Sequence, residues 1–297
     1  MNGWLYRGRF APSPTGSLHF GSLVAAVGSY VDAHAHGGSW LLRIEDLDPP
    51  RETPGAADDI LHALESCGLL WDETVVYQSQ RLEAYHAALG QLLLDGHVFP
   101  CACTRKEIAD SVLEPDKTPV YPGTCRDGLP PGRTTRAYRL RISDETFVFD
   151  DRIQGRVRQE LAKDVGDFIV QRGDGCIAYQ LAVVVDDAWQ GVTDIVRGAD
   201  LLDSTPRQLY LQRLLNVPTP RYAHLPLALN GQREKLSKQT LAPPITAYKE
   251  AVYEALTFLG HQPPISMRGA APAELLAWAI ANWDPAQIGK EHEVAVL

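Results

Sequence analysis

Apolar and polar positions along the first hundred residues follow two periods in turn. Leu5–Phe10 reads as a strand, and the turn-rich segment Ala11-Pro12-Ser13-Pro14-Thr15-Gly16 follows it. Leu23, Val24, Val27 and Val31 then recur at helical spacing, which predicts a helix opening near Ser17 and ending before Gly37-Gly38. Trp40–Ile44 reads as a second strand, closing in Glu45-Asp46-Leu47-Asp48-Pro49-Pro50. Helices over about Ala56–Cys67 and Arg81–Asp95 complete a strand–helix alternation, which predicts an α/β fold with a parallel sheet and helices on both faces.

The rhythm breaks after Pro100. Residues 101–160 are rich in Pro, Gly and Arg, with short strand-like pieces at Tyr138–Ile142 and Thr146–Phe149, and read as an inserted α+β module. The α/β pattern returns with Tyr179–Val185 and Asp194–Arg197. A capped helix is predicted to open at Ser204-Thr205-Pro206, and Tyr222–Leu229 reads as a strand leading into the turn Asn230-Gly231. Two helical stretches, near Thr246–Leu259 and Pro272–Asn282, close the chain. The expected division is a first half of the core over 1–98, an insertion over 99–178, a second half over 179–241 and a short helical extension over 242–297.

Composition changes this picture only at particular places. The longest obvious apolar run, Leu181–Val185, is far too short to cross a bilayer, and the N-terminus lacks the apolar stretch of a signal peptide; a cytoplasmic protein with no membrane partner is expected. The net charge of −9 does not by itself suggest a nucleic-acid partner, yet nine Lys or Arg stand against six Asp or Glu between Arg126 and Lys163. That stretch is either a solvated face or a binding one. Five cysteines make no disulfide scaffold in a chain of 297 residues. Cys67 and Cys176 stand alone and read as small core residues. Cys101, Cys103 and Cys125 instead bracket a loop, as small zinc modules do, although they supply only three thiolates and leave the fourth ligand open.

Two segments carry candidate phosphate chemistry. In the first, a strand feeds a Pro/Gly turn and then a helix, which brings free backbone N–H groups and the helix dipole to one point that favours anions. His19, one turn in, can donate to a phosphoryl oxygen, and Gly21 lets a flat base approach the backbone. In the second, Lys235-Leu236-Ser237-Lys238-Gln239, two lysines three apart can place ammonium groups on a polyphosphate, in a loop able to close over a nucleotide. Alone, the first segment reads equally well as a capped helix with a surface histidine, and the second reads as a solvated charged loop.

Together they resemble the two signatures of class I aminoacyl-tRNA synthetases. His19-Phe20-Gly21-Ser22 is similar to the HIGH motif and Lys235–Gln239 to KMSKS, with Ser22 and Gln239 as peripheral departures. The lead-in Ala11–Gly16, the run Arg43-Ile44-Glu45-Asp46-Leu47-Asp48 and the segment Asp194–Thr205 resemble the glutamyl branch, and the likeness spans about residues 6 to 241. The fold this implies is a Rossmann-like catalytic core with an inserted zinc-containing module.

The resemblance implies activation of L-glutamate by ATP and Mg²⁺. His19 and Lys238 would stabilise developing charge, with Pro12, Ser13, Thr15, Gly16, Gly21, Ser22, Lys235 and Ser237 completing the nucleotide site. Arg9, Ala11, Ser13, Glu45, Tyr179 and Arg197 would hold glutamate, the arginines on its carboxylates and Glu45 on its ammonium. It also implies one structural Zn²⁺ on Cys101, Cys103, Cys125 and Tyr121, with His97 as the fallback for the fourth ligand. Only 58 residues follow Gln239, fewer than an anticodon-binding region needs. That length resembles a truncated branch of the family that attaches glutamate to the queuosine base at the wobble position of tRNA(Asp), the arginines near Arg126–Lys163 then gripping the anticodon stem-loop. A monomer is expected. Another acceptor (a tRNA 3′ end or a small amine), or a non-catalytic paralogue that binds tRNA or glutamate, remain the alternatives.

Overall fold

The computed structural model describes residues 5–109, 120–229 and 245–295. The first stretch runs β1 (Arg7–Phe10), α1 (Phe20–Ala35), β2 (Ser39–Ile44), α2 (Ala56–Ser66), β3 (Val76–Tyr77) and α3 (Leu82–Leu94). The middle holds β4 (Val98–Cys101), α4 (Arg105–Ala109), β5 (Ala137–Leu140), β6 (Thr146–Asp151), β7 (Gly155–Glu160), α5 (Leu161–Asp164) and β8 (Ile169–Gln171). The remainder is α6 (Tyr179–Trp189), β9 (Asp194–Gly198), α7 (Thr205–Leu214), β10 (Arg221–Leu225), β11 (Leu227–Leu229), α8 (Tyr248–Phe258), α9 (Pro272–Ala281) and β12 (Glu293–Ala295).

β1, β2 and β3 form a parallel sheet in which Arg9 sits opposite Leu41. The parallel pair β9–β10 lies beside it, tied by the Thr193 N–H to the Arg7 carbonyl at 3.0 Å. The strands are almost fully buried because helices cover the sheet, as in parallel sheets generally. One core joins β1 and β2 to α1, α2, α8 and α9, with Leu23, Val27, Trp40, Ile60, Leu256 and Leu275 all at 0% exposure. Each such side chain contributes about 1.5–3 kcal/mol. A second core packs α3, α6 and α7 against the antiparallel sheet β4–β5–β8. The hairpin β6–β7 reaches back to β10, where the Arg152 N–H donates to the Tyr222 carbonyl at 2.9 Å.

Several expectations shift in register or kind. The apolar run Leu181–Val185 lies in α6, one turn of which continues into Asp186 and Asp187. Ser204 does not cap α7: the chain enters through a 3₁₀ turn, Ser204 is already right-handed helical, and its hydroxyl accepts from the Gln180 amide at 3.0 Å. Pro226 lacks the N–H that a continuous ladder needs and separates β10 from β11. β12, which the pattern does not announce, pairs in parallel with β11. The turn at Asn230-Gly231 lies outside the described residues. Among the described residues no helix is long and apolar enough to cross a membrane.

Candidate active site

The C-terminal ends of β1, β2 and β9 open onto one cavity of about 700 Å³, the place where open α/β sheets hold ligands. Its wall takes Val24, Val196 and Leu225 from the first core and Leu47, Ile177 and Tyr179 from beside the second, so it lies where the two cores meet. Arg9, Ala11, Pro12, Ser13, Thr15, His19, Gly21, Ser22, Glu45, Tyr179 and Arg197 all line it. Gly16 stands beside them at φ 143°, a backbone conformation that L side chains rarely adopt. Lys235, Ser237 and Lys238 lie outside the described residues.

The helix begins later than its apolar spacing suggests. His19 is not one turn in: it is the N-cap of α1, with extended backbone (φ −109°, ψ 167°) and its Nδ1 accepting the Ser22 N–H at 3.2 Å. The Ser22 hydroxyl lies 2.9 Å from His19 Nε2. The imidazole, 8% exposed, therefore stands at the mouth of the helix dipole and not on its flank.

Charge in the cavity is set by a buried ion network. Arg43 and Glu45 lie on one face because they are two apart along β2 and its exit, and Arg43 Nη2 reaches Glu45 Oε1 at 3.2 Å. Arg43, wholly buried, also donates to Asp187 Oδ1 at 2.8 Å and to Gln190 Oε1 at 2.6 Å. Arg9 gives its Nε and Nη2 to Asp187 at 3.1 and 3.3 Å. An arginine presents two edges, so the Nη1/Nη2 edge of Arg9 is the one its Asp187 contact leaves for a ligand. Burial alone would raise the Asp187 carboxyl, but Arg9 and Arg43 hold it below the usual carboxylate range. For Glu45 burial wins over Arg43 and Arg9, and its carboxyl is pushed up. Among the charged side chains lining the hollow, Arg9 and Arg197 with Glu45 form a set suited to a zwitterion that carries a second carboxylate.

Arg197 is held on its other side. Its Nε donates to His224 Nε2 at 3.0 Å, and its Nη2 to Thr205 Oγ1 at 2.8 Å and to the Leu201 carbonyl at 3.3 Å. Its Nη1 lies 3.4 Å from the Tyr179 hydroxyl. Asp187, Arg43, His224 and Asp151 escape sequence reasoning. A signal exists for the first: Asp186-Asp187 directly follow an apolar run, and a buried carboxylate demands a cationic partner.

Away from the cavity, Cys101, Cys103 and Cys125 bring their sulfurs together and could hold a metal ion. Cys103 and Cys125 Sγ are 3.7 Å apart, against about 3.8 Å between two sulfurs on one tetrahedral zinc. The Tyr121 hydroxyl lies 3.4 Å from Cys101 Sγ and 3.7 Å from Cys103 Sγ. The three sulfurs suit a soft cation, and the Tyr121 phenol stands within reach of two of them. His97 belongs to the turn between α3 and β4, where its backbone N–H donates to the Leu92 carbonyl.

The arginine-rich stretch is largely committed to the fold. Arg139 is 7% exposed and donates to Cys101 Sγ and the Asp167 carbonyl, Arg152 forks onto the buried Asp32, and Arg126 and Arg133 pair with Asp167 and Glu107. Arg136, Arg156, Arg158 and Lys163 are exposed.

The family model described as tRNA synthetases class I (E and Q), catalytic domain, matches residues 6–260. The chain is 58% identical over 288 residues to the glutamyl-Q tRNA(Asp) synthetase of Aromatoleum aromaticum, covering 96% of this chain and 91% of that one. It is 53% identical over 285 residues to the protein of the same name from Pseudomonas aeruginosa, covering 95% of each. Among solved structures, the glutamate-tRNA synthetase of Elizabethkingia anophelis superposes with a TM-score of 0.80 at 25% identity over 99% of this chain. A glutamate tRNA ligase from Elizabethkingia meningosepticum, in complex with its amino acid, gives 0.79 at 24% over 96%. The chain spans 68% and 66% of those two, respectively. With the strand ends, the capped α1 and the cavity between them, these likenesses show that the chain belongs to the glutamyl-Q tRNA(Asp) synthetase family, within the glutamyl and glutaminyl class I aminoacyl-tRNA synthetases.

Proposed function

We propose that the protein activates L-glutamate with ATP and transfers it to the queuosine base at the wobble position of tRNA(Asp). The observation that carries the first half is the convergence of Arg9, Arg197 and Glu45 on the cavity at the α1 N-terminus. Arg9 offers its Nη1/Nη2 edge to one glutamate carboxylate and Arg197 its Nη1 to the other. Glu45 takes the ammonium, with Ala11, Ser13 and Tyr179 closing round the side chain. ATP lies along Pro12, Ser13, Thr15, Gly16, Gly21 and Ser22, its phosphates at the helix dipole and its Mg²⁺ carried in with it.

An oxygen of the glutamate α-carboxylate attacks the α-phosphorus, and the bond to pyrophosphate breaks. His19 and Lys238 stabilise the charge that develops, while Lys235 and Ser237 hold the leaving phosphates. No protein nucleophile is required, because positioning and charge neutralisation supply the catalysis. A hydroxyl of the queuosine cyclopentene-diol then attacks the acyl carbon, loses its proton, and AMP departs. The names and near-complete overlap of the two bacterial relatives support this acceptor. A reaction on tRNA places the work in the cytoplasm, and nothing in the chemistry calls for more than one copy of the chain.

Cys101, Cys103, Cys125 and Tyr121 would hold a zinc ion whose part is to fix the loop between β4 and β5, well apart from the reacting atoms. Within the arginine-rich stretch, exposed Arg136, Arg156 and Lys163 are the cations offered to RNA phosphates, with Arg158 beside them paired to Glu160 at 2.9 Å.

ATP–pyrophosphate exchange in the presence of tRNA tests the activation step. Glutamate should drive it, glutamine and aspartate should not, and Lys238→Ala should abolish it without lowering Tm. Equal exchange with glutamine would overturn the reading of Arg9 and Arg197.

A further inference from the structure

Behind the cavity a carboxylate, an imidazole and a guanidinium stand in line, all buried: Asp151, His224 and Arg197 are 4%, 0% and 4% exposed. Asp151 Oδ2 is 2.6 Å from His224 Nδ1, and His224 Nε2 is 3.0 Å from Arg197 Nε. A guanidinium can only donate, so His224 Nε2 must accept and the ring's proton must sit on Nδ1, facing Asp151. The carboxylate is itself fixed: Asp151 Oδ1 accepts the backbone N–H groups of Ile153, Gln154 and His224 at 3.0, 2.9 and 3.2 Å. Burial holds the imidazole below its usual range against the pull of Asp151, which suits a ring that serves as a neutral acceptor.

The consequence falls on Arg197. With Nε on His224 and Nη2 on Thr205 and Leu201, rotation about the end of the side chain is blocked, and Nη1 is the nitrogen left to meet a ligand beside Tyr179. The three groups come from β6, β10 and β9, so the hairpin of the inserted segment sets the aim of a residue in the cavity wall.

We propose that His224 and Asp151 are positioning residues for glutamate binding, acting through Arg197. This rests on the reading that Arg197 receives a glutamate carboxylate. Asp151 selects the Nδ1–H tautomer of His224, and that tautomer presents the lone pair that orients Arg197. In an Asp151→Asn protein the amide turns a donor toward Nδ1, the ring proton moves to Nε2, and two donors then face each other across the 3.0 Å contact.

The test compares Arg197→Ala, His224→Leu, His224→Gln and Asp151→Asn in the full-length protein. Calorimetric titration gives the glutamate Kd, steady-state transfer gives KM for glutamate and for ATP, and melting gives Tm. Glutamate binding should be nearly lost in Arg197→Ala and weakened about tenfold in His224→Leu and Asp151→Asn, with the ATP KM unmoved. His224→Gln, whose amide can accept from Arg197 and donate to Asp151, should bind within about twofold of the parent. Parental glutamate affinity in His224→Leu and Asp151→Asn, beside a crippled Arg197→Ala, would overturn the positioning role alone. Parental affinity in Arg197→Ala would overturn the underlying reading and this proposal with it. A parallel rise in both KM values with a fallen Tm, shared by His224→Gln, would mark a purely structural role and overturn the proposal as well.

Discussion

If Glu45 takes the ammonium of glutamate, as proposed, a single buried carboxylate trades stability for binding. Burial raises its pKa in the folded chain, so the folded state favours the protonated form more than the unfolded state does. Any stability linked to that group is present at low pH and lost as pH rises through the raised pKa; at neutral pH the ionised carboxylate is a cost. Glu45→Gln should therefore leave Tm at or above the parent's near pH 7 while removing glutamate binding, and a lowered Tm would show that Arg43 depends on this charge. Affinity for glutamate should likewise fall on acidification at a pH above the ordinary glutamate value, since the ammonium needs the ionised form. Asp187 has the opposite sign: its depressed pKa contributes stability present above the unfolded value and lost as pH falls through the folded one. Asp187→Ala leaves Arg9 and Arg43 without their shared carboxylate in a buried site and should cost about 3–5 kcal/mol by chemical denaturation. A loss under about 1 kcal/mol would mean that water or Gln190 takes its place. Arg9, Glu45 and Arg197 stand out in the chain through the family resemblance, and all three line the cavity. Asp187 pairs with Arg9 across 178 residues and Asp151 with His224 across 73, distances over which no local pattern speaks.

Among elements, α1, α2 and α3 are legible because apolar spacing and closing glycines mark them, whereas the start of α1 is decided by a side chain. His19 caps the helix, so it begins at Phe20 although the apolar period permits an earlier start. The 3₁₀ entry to α7 is hidden for a similar reason: Ser204 is already right-handed helical, and its hydroxyl turns to Gln180 of α6 and makes no cap to the helix behind it. In the loop after β4, close approach of three sulfurs and a phenol adds what spacing could not, since Cys-x-Cys is an irregular metal motif. The purified protein should contain about one zinc per chain, and a chelator should lower its Tm. An unchanged melting curve after complete removal of metal would contradict a structural role.

At the scale of the whole molecule, the parallel sheet and the placing of a cavity at its strand ends follow from strand–helix alternation. The meeting of two cores at that cavity, and the parallel pairing of β12 with β11, depend on contacts between distant segments that periodicity does not encode. The arginine-rich stretch is the instructive case: its charge is visible in the sequence, but Arg139 and Arg152 are spent on buried partners, which narrows the cationic surface available to RNA. The acceptor is what sets this protein's activity apart from charging of a tRNA 3′ end. Labelled glutamate and ATP should be supplied with tRNA(Asp) that carries queuosine, with the same tRNA lacking it, and with queuosine tRNA(Asp) stripped of its 3′-terminal adenosine. Transfer to queuosine puts label in the first and third and none in the second. Label in the first two that disappears from the third would contradict it, and would place glutamate on the 3′ end.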